Sequence, residues 1–231
     1  VEIINKEIIK LLKRNDSLKG KKIIVTAGGT IEKIDDVRSI TNKSSGKMGI
    51  ALAEECYLRG ANVLLLRAKN SVHTRYLIKE KIFETAEELL QLIKLNINGV
   101  GLFFQAAAVS DFKVDKIIKG KISSDHSVNL KLTPQIKIIN EIKKLSPKTT
   151  LIAFKAEYGL SEKKLIEEGI KKLLESKADF VIANDISRAD RGFESDDNEV
   201  YIISKNKSVK KIALTSKKDV SKEIINHLNK N

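Results

Sequence analysis

The sequence predicts an α/β protein: a three-layer, Rossmann-like, mostly parallel sheet with a C-terminal antiparallel hairpin or flap. Three observations predict it. Short β-branched runs alternate with helical stretches between residues 21 and 184, the pattern of parallel strands joined by helical crossovers and covered on both faces. The first run closes on Gly28-Gly29-Thr30, which reads as a tight strand-to-helix turn. Two alternating runs near the end, residues 199–204 and 209–214, are separated only by residues 205–208, as in an antiparallel hairpin.

Taken in order, residues 2–14 place Ile3, Ile4, Ile8, Leu11 and Leu12 at helical spacing, an amphipathic helix that docks on the domain or joins an upstream one. Residues 15–20 break it, so an N-terminal helix and linker (1–20) precedes one domain (21–231). Residues 22–27 form the first strand, and a long polar excursion over 31–43 leads to a helix over 46–58 that Gly60 ends. Strands follow at 62–66 and, briefly, at Ile82-Phe83, then a helix over 86–95 and a strand over 101–108. Pro134 precedes a helix over 135–145; then come a strand over 150–156, a helix over 161–175 and a strand over 179–184. After the hairpin a helix over 217–228 closes the chain. Ligands of such folds sit beyond the carboxyl ends of the strands, so the loops after Ala27, Ala108, Ala156 and Asn184 are where chemistry is expected.

Composition narrows the function. A hydrophobic content of 42% over 231 residues rules out a largely disordered chain. No apolar stretch approaches the ~20 residues of a membrane helix, and no signal-peptide core follows a basic start. One cysteine permits no internal disulfide and no cysteine knuckle for a metal. A cytoplasmic location without membrane contact is expected. Val1 stands where an initiator Met would, so the chain is expected to be processed or cut from a longer polypeptide. The net charge of +13 suits nucleic acid, anionic lipid or phosphorylated small molecules. Only seven cations are Arg, the residue favoured for bidentate phosphate and base recognition, and that weakens the nucleic-acid reading. The Lys-rich, Gln-poor and Met-poor balance is also that of heat-adapted proteins.

Several motifs fail on inspection. Gly46-Lys47 lacks the upstream Gly of a Walker A loop, and Met48 stands where Ser or Thr would be needed. No dinucleotide fingerprint follows the first strand, although Arg67 and Lys69 after the second keep an NADP reductase reading open. Tyr201 and Lys205 have reductase spacing but share a strand, where four residues span about 13 Å. His73, His126 and His227 are scattered among polar residues and read as surface positions.

What remains is concentrated in the loops. Gly28-Gly29 lets a ligand approach the backbone, or is simply a tight turn. Ser44-Ser45-Gly46 offers hydroxyls and free N–H groups for phosphate at a helix N-terminus, with Lys47 adding charge, or is a plain serine cap. Ala106-Ala107-Ala108 leaves room for a ligand at a strand end, and Asp111 is placed for a polar ligand group or magnesium; packing alanines with a capping Asp are the alternative. Lys119-Gly120-Lys121 carries cations suited to a polyphosphate, or solvated ones. The acidic run 192–199 lacks EF-hand spacing and reads as a turn held by its own Asp and Asn side chains.

Together these segments resemble the phosphopantothenoylcysteine synthetase (phosphopantothenate–cysteine ligase) family. The resemblance lies in VTAGGTIEKIDDVRSITNKSSGKMGIALAEE (25–55), AAAVSDF (106–112), GKI (120–122) and LKLTPQI (130–136). It continues in IAFKAE (152–157), ADFVIANDIS (178–187) and GFESDDNEV (192–200). The resemblance implies ligation of 4′-phosphopantothenate to L-cysteine in coenzyme A biosynthesis, with CTP or ATP as co-substrate and Mg2+ required. The carboxylate attacks the α-phosphorus to give an acyl nucleotidylate and pyrophosphate, and the cysteine amine then displaces the nucleotide. By the same resemblance Asn42 holds the reacting carboxylate and the acyl intermediate, and Ala107, Ala108 and Asp111 line that pocket. Arg38 is offered to the substrate across a homodimer interface, and Lys121 neutralises triphosphate charge from a mobile loop. Gly29, Ser44, Gly46 and Gly49 cradle the triphosphate. Phe154 and Asn184 contact the nucleotide, Pro134 lies near the base, and Lys172 is a distal nucleotide contact. No metal ligands are implied. Fusion behind a flavin-dependent decarboxylase is common in the family. Two positions depart from its bacterial, CTP-using pattern: Ser176 stands where a second Lys is expected, and Gln-Ile-Lys follows Pro134 in place of an Asn-Pro-Asp run.

Overall fold

The computed structural model describes residues 15–125 and 127–230, so the helix expected over residues 2–14 and His126 lie outside the described residues. Its centre is an eight-stranded sheet in the order β12-β11-β10-β9-β6-β1-β4-β5. Six of these strands are parallel: β1 (Lys22–Ala27), β4 (Asn62–Ala68), β5 (Lys79–Phe83), β6 (Leu102–Gln105), β9 (Thr150–Glu157) and β10 (Phe180–Asp185). The hairpin of β11 (Asp197–Ser204) and β12 (Val209–Ser216) extends one edge antiparallel, as its alternating sequence predicts.

Helices cover both faces. Helices α2 (Ala86–Asn96), α3 (Ile138–Leu145) and α4 (Glu162–Ser176) pack Leu89, Ile93, Ile142 and Leu173 on one side. On the other, α1 (Lys47–Leu58) and α5 (Lys217–Leu228) bury Leu52, Cys56, Val220 and Ile224. Burial pushes the Cys56 thiol well above its ordinary pKa, which leaves it an inert core group. A short 3-10 helix at Asp16–Leu18 buries Leu18 against the second layer, so the chain is already packed on the body before residue 20. Local caps agree with the packing: Thr85 and Glu88 form a reciprocal capping box, and Ser161 and Ser216 cap α4 and α5.

Four expectations are corrected. The polar excursion after β1 is a hairpin, β2 (Ile31–Lys33) with β3 (Ser39–Thr41); three-residue strands are too short to show alternation. The Asp35 carboxylate holds its turn by accepting the N–H groups of Val37 and Arg38. The strand expected over 101–108 leaves the ladder at Gln105. Helix α3 starts at Ile138, because Pro134 ends a second ribbon, β7 (Phe112–Val114) with β8 (Leu132–Pro134), and the Gln135 N–H bonds back to the Asp111 carbonyl. Helix α1 starts after Gly46 and not with a serine cap. Gly46 is left-handed (φ +81°), and a Cβ there would stand 2.7 Å from the Ser71 Cβ.

Candidate active site

The sheet order fixes the location of the site. From β1 the chain passes outward to β4 and β5, then returns to β6 on the other side of β1. The crevice at this reversal, beyond the carboxyl ends of β1 and β6, is where open α/β sheets bind ligands. The two strand ends are tied together there. Gly29 bridges Ala108, the Ala108 N–H donates to the Gly28 carbonyl (2.8 Å), and the Thr26 and Thr30 hydroxyls accept the N–H groups of Ala107 and Ser110, each at 3.0 Å. Ala107 and Ala108 thus present backbone and methyl groups to the crevice on a fixed frame. Asn42, just after β3, donates its side-chain N–H to the Ala108 carbonyl at 3.1 Å.

Two adjoining cavities open from this frame. The first, about 250 Å³, is lined by Asn42, Gln105, Ala107, Ala108, Asp111, Phe154 and Lys172. The second lies at the N-terminus of α1 and is lined by Ser44, Gly46, Gly49, Asn184, Asn198 and Lys217. Phe154, Ala156 and Phe193 border both. An elongated ligand can therefore run from a helix N-terminus, which favours anions, into a partly apolar chamber.

Cations gather at the first cavity. Lys137, Lys155 and Lys172 line it together. Burial, then the neighbouring Lys137 and Lys155 ammonium groups, pull Lys172 below its ordinary pKa. Asp111 pairs with Lys137, and Lys155 with Glu157 at 2.6 Å. At the second cavity the Lys217 ammonium is buried and donates to the carbonyls of Gly192, Phe193 and Ser195. Burial and then nearby Lys47 push it down to about 8, against Asp196 and Asp197. Lys217 thereby pins the 192–195 loop over the cavity. Lys47 is turned the same way, donating to the Glu194 carbonyl and pairing with Asp196, each at 2.7 Å. Cations hold two carboxylates of the acidic run, Arg191 pairing with Glu199 and Lys47 with Asp196. The Asp197 N–H bonds to the Ser195 hydroxyl.

Of the residues expected at the site, Asn42, Ala107, Ala108, Asp111, Phe154 and Lys172 line the first cavity, and Ser44, Gly46, Gly49 and Asn184 the second. Gly29, Arg38, Lys121 and Pro134 line neither. The space a Cβ would take at Gly29 is filled by the Asn42 carbonyl oxygen, 2.8 Å away, so that close approach belongs to the protein's own backbone. Gly49 is likewise met by β1: a Cβ would lie 2.7 Å from both the Thr26 carbonyl oxygen and the Ala27 Cβ.

Arg38 and Lys121 stand on an outlying flap. The Arg38 guanidinium pairs with Asp35 (2.9 Å) and donates to the Ile122 carbonyl (3.1 Å), while Asp35 and Asp36 accept the N–H groups of Ile122 and Gly120. Burial pushes the Asp35 carboxyl up, but the N–H groups of Ile122, Val37 and Arg38 and the Arg38 charge outweigh it and hold it below its usual range. The latch carrying Lys121 is therefore closed at neutral pH and loosens only as pH falls through that lowered value.

Sequence reasoning missed Gln105, Lys137, Lys155, Phe193, Asn198 and Lys217. A signal existed for Gln105, a lone amide in an otherwise apolar strand. The NADP reading loses its two cations: buried Arg67 is spent on Glu80 and on the carbonyls of Ala68 and Ser71, and Lys69 on Glu84. Among the described residues there is no cluster of three or more His, Cys, Asp or Glu that could hold a metal ion.

A family model described as the DNA/pantothenate metabolism flavoprotein C-terminal domain matches residues 18–231. The chain belongs to this family. The coenzyme A biosynthesis bifunctional protein CoaBC of Thermococcus kodakarensis is 40% identical over 231 residues, covering 99% of this chain and 55% of that protein. The CoaBC of Methanocaldococcus jannaschii is 36% identical over 230 residues, covering 100% and 56%. The chain thus spans little more than half the length of these relatives. The crystal structure of the C-terminal domain of a CoaBC matches with a TM-score of 0.77 at 28% identity, covering 93% of this chain and 97% of that one.

Proposed function

We propose that this member of the flavoprotein C-terminal domain family is a phosphopantothenate–cysteine ligase, acting through an acyl nucleotidylate. The observation that carries the reading is the pair of joined cavities at the strand reversal, with Asn42 at one and the α1 N-terminus at the other. The family and its CoaBC relatives support a place in coenzyme A biosynthesis; on this reading the substrates are 4′-phosphopantothenate, L-cysteine and a nucleoside triphosphate, CTP or ATP, carrying its own Mg2+. On this reading the triphosphate spans both cavities, with Ser44 and Gly46 at its phosphates and Phe154 between its ends. Asn42 donates to the pantothenate carboxylate and aims it at the α-phosphorus, with Ala107 and Ala108 as the wall behind. Attack expels pyrophosphate, and the amine of cysteine then takes the acyl group and frees the nucleoside monophosphate. Catalysis rests on positioning and charge neutralisation, and the lysine cluster suits both anionic substrates.

The reading extends to a homodimer. Exposed Phe112, Ile117, Val128, Leu130 and Leu132 lie on the β7–β8 ribbon and its connection, where pairing with a second copy would cover them. Arg38 and Lys121, which line neither cavity of their own chain, then serve the partner's site. A flavin-dependent decarboxylase fused upstream accounts for the remaining length of the CoaBC relatives.

The test supplies 4′-phosphopantothenate and Mg2+ with CTP or ATP, first without cysteine. Pyrophosphate is expected without cysteine with one of the two triphosphates, and the amide product once cysteine is added. Release with neither would refute the assignment.

A further inference from the structure

Gln105 ends β6, paired in the ladder with Thr26 of β1 and Ala153 of β9. Gln105 is only 5% exposed and lines the first cavity. Neither its Nε2 nor its Oε1 has a hydrogen-bond partner, and among the described residues no other buried side chain is left so. A buried amide with both donor and acceptor unmet weakens a fold, and an apolar residue of similar length would pack there without that cost. Such a group is explained when a ligand completes it.

The surroundings indicate which ligand group. Ile136, Ile138 and Phe154 line the same cavity and supply apolar walls for a flat ring. The amide presents a donor beside an acceptor in one plane, which matches an edge offering the reverse pair, such as the amino group and ring nitrogen of cytosine or adenine. The anion-favouring α1 N-terminus lies across Phe154, in the second cavity. A nucleotide laid along both cavities therefore has its phosphates at α1 and its base over Gln105.

We infer that Gln105 is a specificity-determining residue that reads the base of the nucleoside triphosphate, an assignment that rests on the ligase reading above. It gives a purpose to the one polar residue of an apolar strand.

The test measures binding of CTP, ATP, UTP, inorganic tripolyphosphate and 4′-phosphopantothenate to the unaltered chain and to Gln105→Met. The variant is expected to bind the preferred triphosphate about tenfold more weakly and to discriminate less among the three bases. Tripolyphosphate binding should stay unchanged, and the ligand-free variant should melt higher because the unpaired amide is gone. If Gln105→Met does not fold, Gln105→Asn, which withdraws the amide by one methylene, gives the same readout. Unchanged affinity and base ranking would overturn the assignment to Gln105 alone, as would weakening confined to 4′-phosphopantothenate. Failure of the unaltered chain to bind any of the three nucleotides would overturn the assignment together with the ligase reading.

Discussion

On the proposed ligase reading, Asn42→Asp is expected to slow ligation by about two to three orders of magnitude and to leave the fold intact. Asn42 is exposed, and its one side-chain bond donates to the Ala108 carbonyl. A carboxylate there keeps the size but cannot donate, so it faces a carbonyl oxygen and repels the incoming pantothenate carboxylate. The loss should fall on kcat/KM for phosphopantothenate, with triphosphate affinity nearly unchanged, because the groups at the α1 end are untouched. Steady-state kinetics and a melting curve check both halves. Normal turnover would remove Asn42 from the mechanism.

Gly49→Val acts in the opposite way, costing about 3 kcal/mol of stability, or roughly 6–12 °C in Tm for a chain of this size. The added carbons would run into the Thr26 carbonyl and Ala27, which belong to central strand β1 and have nowhere to go. Relief requires α1 to lift from the sheet, which also moves Gly46 and the N–H groups that face the second cavity. Loss of nucleotide binding is therefore expected to track the loss of fold in thermal denaturation. A variant that melts normally yet fails to bind triphosphate would show instead that Gly49 serves the ligand directly.

The sequence carried the fold wherever a segment is long and buried. The runs 22–27 and 62–66 read as strands because both faces are covered, and the last helix has the bounds its spacing predicts. The two small ribbons escaped, since three-residue strands show no period and their pairings, Ile31 with Thr41 and Phe112 with Pro134, are made by turns and tertiary contacts. At the site, Asn42, Ser44, Gly46 and the 106–108 alanines line the two cavities. Gly29 and Arg38, from the same motif as Asn42, line neither, because the first is closed by the Asn42 carbonyl and the second is held by Asp35 and Ile122. Lys217 was not legible in the sequence, because its importance lies in three carbonyls more than twenty residues upstream. The +13 charge also narrows in meaning. Lys47, Lys69, Lys143 and Lys210 are each paired with a carboxylate away from the first cavity; Lys137, Lys155 and Lys172 line that cavity, the first two paired with Asp111 and Glu157.

The central claim is that a pantothenate carboxylate oxygen bonds to the α-phosphorus of a nucleotide lying in these two cavities. Ligation run with 4′-phosphopantothenate carrying 18O in its carboxylate follows that oxygen. Attack at the α-phosphorus leaves one 18O in the nucleoside monophosphate when cysteine breaks the acyl C–O bond, and none in pyrophosphate. Mass spectrometry finding 18O in the monophosphate is the predicted result; 18O in inorganic phosphate, or unlabelled nucleotide beside labelled water, would contradict it.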